Sequence, residues 1–357
     1  MNTKILDVSN LNEAVLRQAQ VLAEPEAIAN IENALEKVAF AGQIIKDGGL
    51  VAFPTETVYG IGANALDEEA VKKVYAAKGR PSDNPMIVHI ARASDMGVLT
   101  PNLSPNIVKL ADNFWPGPLT MILAKKENVP NTTTGGLDTV AVRLPDNPVA
   151  IELIRAADCP LAAPSANLSG SPSPTKAEHV IRDLDGRVDV ILAGEDSRIG
   201  IESTVVDMTG DIPTILRPGI ITADHISAAL DTKVIYDPAL LISEKTEIED
   251  PRSPGMKYTH YAPKAEMLVV EGNQEKVKSE IERLKVLNEE LGSKVGVILF
   301  EEQSYIEAAH DFYSKLRTLD EEGVDLILAG ALSQKDGVGF AVMNRMMKSA
   351  GYKIARV

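Results

Sequence analysis

The chain has 357 residues, enough for two domains that each bury an apolar core. Apolar residues make up 45% of the sequence and aromatic residues only 4%, which excludes disordered and fibrous proteins and predicts aliphatic cores. The formal net charge of −15 argues against a general nucleic-acid-binding protein, because affinity for polyanions comes from many lysines and arginines.

The compartment is predicted from what the sequence contains. Cys159 is the single cysteine and cannot form an intrachain disulfide, and the first residues do not resemble a signal peptide. No apolar run approaches the roughly 18 to 20 residues of a membrane span. We therefore expect a cytoplasmic protein that does not enter a bilayer. A local basic pocket remains compatible with the acidic surface, since charges are screened over about 8 Å at physiological salt.

Strand-like runs and helical patterns alternate through the first 230 residues. In the best-marked helix, predicted from Asp67 to Ala77, Asp67 is the expected N-cap, acidic residues occupy the first turn and lysines the last. The mixed order predicts an α/β fold with a twisted mixed sheet and flanking helices. The strand-like runs lie at 50–53, 86–90, 119–123, 140–142, 188–192 and 203–207.

The remainder of the chain predicts a linker and a second domain. Residues 231–262 are rich in proline, serine and acidic residues, which is typical of a linker, and this segment is placed to close over a pocket as a lid. Residues 263–357 repeat strand and helix, which predicts a smaller Rossmann-like parallel α/β domain. The Gly337–Phe340 segment superficially resembles a phosphate loop, but its spacing favours an ordinary turn and helix start.

Cations gather at the end of the helix that follows the first strand-like run of the first domain. One apolar run ends in the turn from Pro54 to Gly62, and the helix that follows ends in Lys78, Arg80 and Asn84. An isolated pair of this kind is usually a solvated helix end. Here two prolines stiffen the segment beside a buried strand, so we expect the cations to face an anionic ligand such as a phosphate.

Arg143 follows another apolar strand. Alternation places Thr139, Ala141 and Arg143 on one face, where the arginine would clamp a carboxylate or, equally, lie in water at a sheet edge. Two further segments lie at the edges of apolar runs: Glu202–Thr204 and Leu216–Gly219. Arg217 in the second segment would add a phosphate contact, although Arg-Pro-Gly is also an ordinary turn.

Two irregular segments are rich in groups that bind ligands. The stretch 162–175 combines serines, prolines and a helix start, which suits either an anion-binding concavity or a plain loop. The stretch 253–263 carries Tyr258, His260 and Tyr261, whose rings would pin the linker onto a domain, contact a ligand, or do both. Scattered histidines and the lone cysteine do not suit a zinc site, and the serine-hydrolase elbow is absent.

Together these segments resemble the threonylcarbamoyl-AMP synthase family in its long form, a YrdC-like catalytic domain followed by a linker and a smaller domain. The resemblance spans nearly the whole chain and divides it at 1–230, 231–262 and 263–357. It rests on Pro54–Gly62, Lys78 with Arg80 and Asn84, Asn84–His89, Trp115–Thr120, Thr139–Arg143, Pro164–Asn167, Ser203–Thr204 and Leu216–Gly219. Gly79 departs from the family pattern, since a larger polar residue is common there.

The resemblance implies a nucleotidyltransferase that makes threonylcarbamoyl-AMP and pyrophosphate from L-threonine, bicarbonate and ATP with Mg²⁺. The product would pass to a partner transferase for N6-threonylcarbamoylation of tRNA, and no direct metal ligand or strong nucleic-acid binding is expected of this chain. It implies that Lys78 and Arg80 are catalytic. It also implies that threonine contacts Thr57, His89, Arg143, Ala163 and Ser203, and that ATP contacts Arg80, Asn84, Thr139, Ser165, Ser173, Arg217 and Tyr258.

Two other functions fit a cationic pocket. A binding module would recognise RNA or a nucleotide without turnover, although the acidic charge and the few aromatic residues make this a poorer fit. Carbamoyl transfer from carbamoyl phosphate is a second enzymatic alternative, and it would release phosphate rather than pyrophosphate.

Overall fold

The structure, a computed structural model, describes residues 2–12, 14–17, 24–241, 261–301, 304–333 and 337–357. These residues form two α/β units, each built on its own sheet. No helix in the described ranges is long and apolar enough to cross a membrane.

The larger unit contains an 11-stranded mixed sheet. Most of its strands are short apolar runs bounded by Gly, Pro or polar residues, as the sequence pattern predicts. The strands are β1 Lys4–Asp7, β2 Val51–Phe53, β3 Gly60–Asn64, β4 Ile87–His89, β5 Leu119–Ala124, β6 Thr139–Arg143, β7 Leu161–Ala162, β8 Val190–Ala193, β9 Thr204–Asp207, β10 Thr214–Arg217 and β11 Ile235–Tyr236.

Strands distant in sequence become neighbours in this sheet. Its order is β1-β8-β2-β3-β7-β4-β6-β5-β9-β10-β11. Parallel pairs such as β4 with β6 and β5 with β9 alternate with antiparallel pairs such as β3 with β7. Strand β6 is parallel to β4 and antiparallel to β5, and β5 is parallel to β9, so the carboxyl ends of β4 and β6 lie on the same side of the sheet as the start of β9.

Helices cover the large sheet. Those of eight residues or more often begin at residues suited to cap them: Asp67 and Ser104 accept hydrogen bonds from first-turn N–H groups, as does Asn147. The predicted N-cap at Asp67 is therefore confirmed. The helices are α1 Pro25–Lys46, α2 Glu68–Lys78, α3 Met96–Leu99, α4 Pro105–Phe114, α5 Asn131–Thr134, α6 Pro148–Ala157, α7 Ala177–Leu184 and α8 Ala223–Leu230.

The smaller unit is a four-stranded, fully parallel sheet in the order β13-β14-β12-β15. Helices connect consecutive strands, as parallel pairing requires. The segment at Gly337 begins a helix, as the sequence predicted. The elements are β12 Glu266–Glu271, α9 Gln274–Glu290, β13 Val295–Ile298, α10 Tyr305–Glu322, β14 Leu326–Gly330, α11 Gly337–Ser349 and β15 Ile354–Arg356.

The two units share a buried interface. Val58 and Ile201 of the larger unit belong to the same apolar cluster as Phe312 and Met346 of the smaller one. Gly200 lies so close to α10 that a Cβ atom there would come within 2.3 Å of the His310 carbonyl oxygen. The interface therefore forms by direct backbone approach as well as by side-chain packing.

The observed architecture is the predicted one: a mixed α/β sheet with flanking helices, followed by a smaller parallel α/β unit. Strand β11 falls within the segment predicted as a linker, 231–262, and pairs with β10 in the large sheet. Residues 242–260 of that segment lie outside the described ranges.

Candidate active site

A turn held by hydroxyl groups follows β2. The Thr55 hydroxyl donates to the Val58 carbonyl oxygen at 2.6 Å and accepts from the Thr57 N–H at 3.2 Å. Both threonine side chains are buried. The sequence Pro-Thr-Glu-Thr thus fixes a tight turn at the sheet edge, because Thr hydroxyls replace the strand hydrogen bonds that end at Phe53.

This turn forms one wall of a cavity at the edge of the large sheet. Strand ends and loops of the larger unit form most of the lining. Tyr261, the first described residue after the range 242–260, also lines the cavity. The lining residues are Thr55, Thr57, Val58, Tyr59, Gly60, Arg80, Ile87, His89, Arg143, Ala163, Pro164, Ser165, Glu202, Arg217 and Tyr261.

Arg143 is buried in the cavity wall at the end of β6. Its Nη2 lies 2.6 Å from Glu56 Oε1, its Nη1 donates to the Thr57 hydroxyl at 2.9 Å, and its Nε donates to the Gly117 carbonyl oxygen at 3.3 Å. The side chain is held rigidly, which suits recognition of a carboxylate by a planar guanidinium.

His89 is a neutral group in this wall. Burial, together with the charge of Arg143, lowers the pKa of His89 to about 3. Its Nδ1 lies 3.2 Å from the Ile87 carbonyl oxygen, which only accepts hydrogen bonds, and this contact favours the tautomer with the proton on Nδ1. The Nε2 atom is then an acceptor, suited to an amine or hydroxyl hydrogen.

Arg80 follows the end of α2. Gly79 adopts the left-handed conformation, φ 62°, that caps the helix, and its N–H bonds back to the Tyr75 and Ala76 carbonyls. This conformation turns the chain so that Arg80 reaches the cavity, where its Nη2 donates to the Asn84 and Pro85 carbonyls. Burial lowers the pKa of Arg80 to about 10, so the guanidinium is charged at neutral pH.

Lys78 lies behind the cavity wall rather than in its lining. Its ammonium group donates to the Ser165 carbonyl and, at 2.6 Å, to the Asn167 carbonyl. Burial, with the neighbouring Arg80 charge, holds the pKa of Lys78 well below its usual value. The lysine thus ties the end of α2 to the loop that carries Ser165.

Arg217 and Ser203 form a unit at the ends of β9 and β10. Arg217 donates from Nε to the Ser203 carbonyl and from Nη2 to the Ser203 hydroxyl, both at 3.0 Å. The Ser203 hydroxyl also lies 2.7 Å from the Thr120 hydroxyl of β5. Both residues are buried, and the pair brings a second guanidinium to the cavity.

Glu56 and Glu202 were not among the residues predicted to contact threonine or ATP, whereas Tyr261 was predicted to pin the linker onto a domain, to contact a ligand, or to do both. Glu56 holds Arg143, and Glu202 lines the cavity while binding Ser173 at 2.6 Å. Tyr261 lines the cavity and packs against Tyr313, with ring centroids 5.2 Å apart. The sequence signal was the single acid in each of two otherwise hydroxyl-rich stretches, Thr55–Thr57 and Glu202–Thr204.

The structure brings seven of the predicted site residues into the cavity lining: Thr57, Arg80, His89, Arg143, Ala163, Ser165 and Arg217. Lys78, Asn84, Thr139, Ser173 and Ser203 do not line it. Ser173 and Ser203 contact lining residues directly, whereas Asn84 is buried and both polar atoms of its amide lack a hydrogen-bond partner among the described residues. Tyr258 lies outside the described residues.

Two family models match consecutive parts of the chain. The first, described as "Telomere recombination" and covering the Sua5, YciO and YrdC proteins, matches residues 43–219. The second, described as the C-terminal domain of threonylcarbamoyl-AMP synthase, matches residues 221–351. The chain belongs to the threonylcarbamoyl-AMP synthase family. The predicted family, and with it a nucleotidyltransferase, is confirmed.

Curated members of the family match over nearly their whole length. The threonylcarbamoyl-AMP synthase of Pyrococcus abyssi is 47% identical, over 92% of this chain and 99% of its own. That of Bacillus subtilis is 46% identical, over 90% of this chain and 94% of its own. The likeness therefore includes both units.

Solved structures match the fold as well. The crystal structure of P. abyssi Sua5 complexed with L-threonine is 46% identical, with a TM-score of 0.86 over 90% of this chain and 96% of its own. A double alanine variant of P. abyssi Sua5 matches with a TM-score of 0.88 and 43% identity, over 99% of this chain and 98% of its own. The predicted YrdC-like fold with a smaller parallel domain is confirmed.

Proposed function

We propose that this protein converts L-threonine, bicarbonate and ATP into threonylcarbamoyl-AMP and pyrophosphate. One observation carries the proposal: a single cavity combines Arg143 and the neutral His89 with the guanidinium groups of Arg80 and Arg217. The first pair suits an amino acid, and the second pair suits a phosphate chain. The related P. abyssi structure was solved with L-threonine, which supports the first half of this assignment.

The reaction requires two anions to meet. The threonine amine adds to bicarbonate with loss of water, giving a carbamate; a carbamate oxygen then bonds to the α-phosphorus of ATP as the bond to pyrophosphate breaks. Arg143 would hold the threonine carboxylate, while His89 Nε2 would accept a hydrogen bond from the threonine amine or hydroxyl. Arg80 and Arg217 would offset the repulsion between carbamate and phosphates, so positioning and charge stabilisation are the main demands on the site.

Mg²⁺ is proposed to enter with ATP. The described residues include no group of three or more His, Cys, Asp or Glu side chains arranged to hold a metal ion. Mg²⁺ commonly binds through substrate phosphates with few protein ligands, so phosphate oxygens and water would supply its coordination. When bound it would neutralise phosphate charge.

We also propose that the labile product passes to a tRNA-modifying transferase, in the cytoplasm. The chain is acidic overall, which disfavours direct binding to a polyanion. Transfer to tRNA therefore belongs to a partner in this proposal.

Pyrophosphate release tests the proposal. ATP, Mg²⁺ and bicarbonate are supplied with threonine, with serine, or with neither, and we expect release that depends on threonine. A binding module would bind nucleotide with no release. An enzyme that transfers the carbamoyl group of carbamoyl phosphate would release no pyrophosphate, and would release phosphate when carbamoyl phosphate replaces bicarbonate. Either result would contradict the proposal.

Arg80→Ala tests the phosphate half of the site. Loss of one guanidinium contact is expected to cost about 3 kcal/mol in transition-state stabilisation, roughly a hundredfold in rate. Lys72→Ala is the matched control, because Lys72 lies on α2, the helix that precedes Arg80, but is half exposed and pairs with Glu68 and Glu69. Equal activity of the two variants would contradict the assignment of Arg80.

A further inference from the structure

Glu202 connects the cavity to the smaller unit. Its side chain lines the cavity but is buried, and most contacts to its two carboxylate oxygens come from the smaller unit. The Tyr313 hydroxyl donates at 3.1 to 3.2 Å, and Arg345 Nε lies 3.1 Å from Oε2. Ser173 of the larger unit donates to Oε1 at 2.6 Å. The smaller unit thus supplies a charge and a hydroxyl to a residue of the cavity wall.

Arg345 also binds a second segment of the larger unit. Its Nη1 donates to the Pro218 carbonyl oxygen at 2.7 Å, and the side chain is fully buried. Glu202 directly precedes Ser203, and Pro218 directly follows Arg217. One guanidinium therefore joins the two backbone segments whose side chains, Arg217 and Ser203, bond to each other in the cavity wall.

A second buried ion pair crosses the same interface but has a different environment. Arg317 donates to Asp183 at 2.7 Å and to the Pro172 carbonyl at 2.6 Å. Neither partner lines the cavity. Pro172 directly precedes Ser173, but the Ser173 hydroxyl is held separately by Glu202. Arg317 therefore contributes mainly to docking of the two units, whereas Arg345 binds Glu202 of the cavity wall and the residue after Arg217.

We propose that Arg345 of the smaller unit is a positioning residue for ATP binding. The inference rests on the proposed function, in which Arg217 and Ser173 serve the nucleotide. Arg217 depends on the segment that Arg345 fixes, and the Ser173 hydroxyl binds Glu202 directly. Threonine depends less on Arg345, because Ser203 has an independent partner in Thr120 and the other proposed threonine contacts lie on β4, on β6 or in the loops after β2 and β7.

The test compares Arg345→Gln with Arg317→Gln in the full-length protein. Both variants remove a buried cation from the same interface, so both are expected to lower the melting temperature. Only Arg345→Gln is expected to raise the KM and the Kd for ATP, by about tenfold or more, since small misplacements at a distance from the chemistry have effects of this size. The Kd for threonine is expected to stay close to the wild-type value.

Several outcomes would overturn the proposal. An unchanged Kd for ATP in Arg345→Gln would do so, as would an equal loss of ATP and threonine affinity, or an Arg317→Gln variant with the same ATP defect. If Arg345→Gln does not fold, Tyr313→Phe replaces it, because this change keeps the ring packing and removes only the donor to Glu202. A smaller but measurable rise in the Kd for ATP supports the proposal, and no change overturns it.

The ATP dissociation constants decide the role of Arg345 whether or not turnover occurs. Wild-type protein that binds ATP but releases no pyrophosphate with threonine would contradict the proposed function and leave the comparison of the two arginines intact.

Discussion

At the residue scale, Arg143 is already paired before any substrate binds. Its contacts with Glu56, Thr57 and Gly117 hold it in one rotamer, so little side-chain entropy remains to be lost when a carboxylate arrives. Removing it outright would leave Glu56 buried and unpaired, which is costly. A charge-conserving substitution separates recognition from folding.

Arg143→Lys is expected to raise the KM for threonine about 10- to 100-fold, because an ammonium group cannot keep all these contacts and still grip a carboxylate in two places. Steady-state kinetics at saturating ATP measure this change. Arg155→Lys is the control, since Arg155 is half exposed and pairs with Glu152 on the surface. A normal KM for threonine in Arg143→Lys would contradict the carboxylate assignment.

His89 predicts a pH dependence of stability. Its pKa is about 3 in the folded protein and about 6.5 when unfolded, so between these values the unfolded chain binds more protons. Stability is fully present above pH 6.5 and is lost as the pH falls towards 3. The loss from this group between pH 7 and pH 5 is about 2 kcal/mol.

Denaturant unfolding of the wild type and of His89→Gln at pH 7 and pH 5 measures the contribution of His89 to the free energy of unfolding. The variant is expected to lose about 2 kcal/mol less between the two pH values. His179, whose pKa burial lowers to about 4, remains in both proteins and cancels in the difference. Equal pH dependence would show that His89 is not held neutral.

At the scale of elements, two glycines illustrate how an interface adds to a local backbone preference. Gly200 has φ +84° and Gly292 has φ +89°, so both lie in the left-handed region that disfavours other residues. Gly200 also meets the backbone of α10 at His310, whereas the Gly292 position is open.

Gly292→Ala is expected to cost about 1 kcal/mol, the backbone cost alone. Gly200→Ala is expected to cost at least about 2 kcal/mol more, because a Cβ atom overlaps a carbonyl that cannot turn aside. Denaturant unfolding of the two variants gives this difference directly. Similar values for both would mean that α10 is free to move away from residue 200.

At the scale of the whole molecule, the smaller unit helps to form the cavity wall. Tyr261 lines the cavity and packs on Tyr313, while Arg345 neutralises and fixes Glu202. The shared apolar cluster around Val58 and Ile201 packs the two units against each other. We therefore expect ligand binding in the larger unit to stabilise the smaller unit as well.

Saturating ATP and threonine are expected to slow amide hydrogen exchange in α11, residues 337–349, with stabilisation of about 2.7 kcal/mol at a hundredfold excess over Kd. Short labelling times report local opening rather than global unfolding. Helix α9, residues 274–290, packs against the small sheet and serves as the internal control. Equal protection of α9 and α11, or of neither, would contradict coupling through the interface.

The sequence by itself determined the fold class, the Asp67 cap, the family and, in the larger unit, the positions of β2, β4, β5, β6, β8 and β9. It did not predict β1, β3, β7, β10, β11 or helix α1. The predicted features follow from local periodicity, capping chemistry and motifs that occupy short stretches of chain. It also pointed to Arg80, Arg143 and Arg217, since each follows an apolar strand or a helix end.

Only the tertiary structure decided which groups share the cavity and which hold them. Glu56 pairs with Arg143 and Glu202 pairs with Arg345, and the partners of each pair lie far apart in the sequence. Lys78 likewise turned out to bind the carbonyls of a loop distant in sequence. Pairings of this kind depend on strand order, close packing and the desolvation of charges, none of which a local pattern specifies.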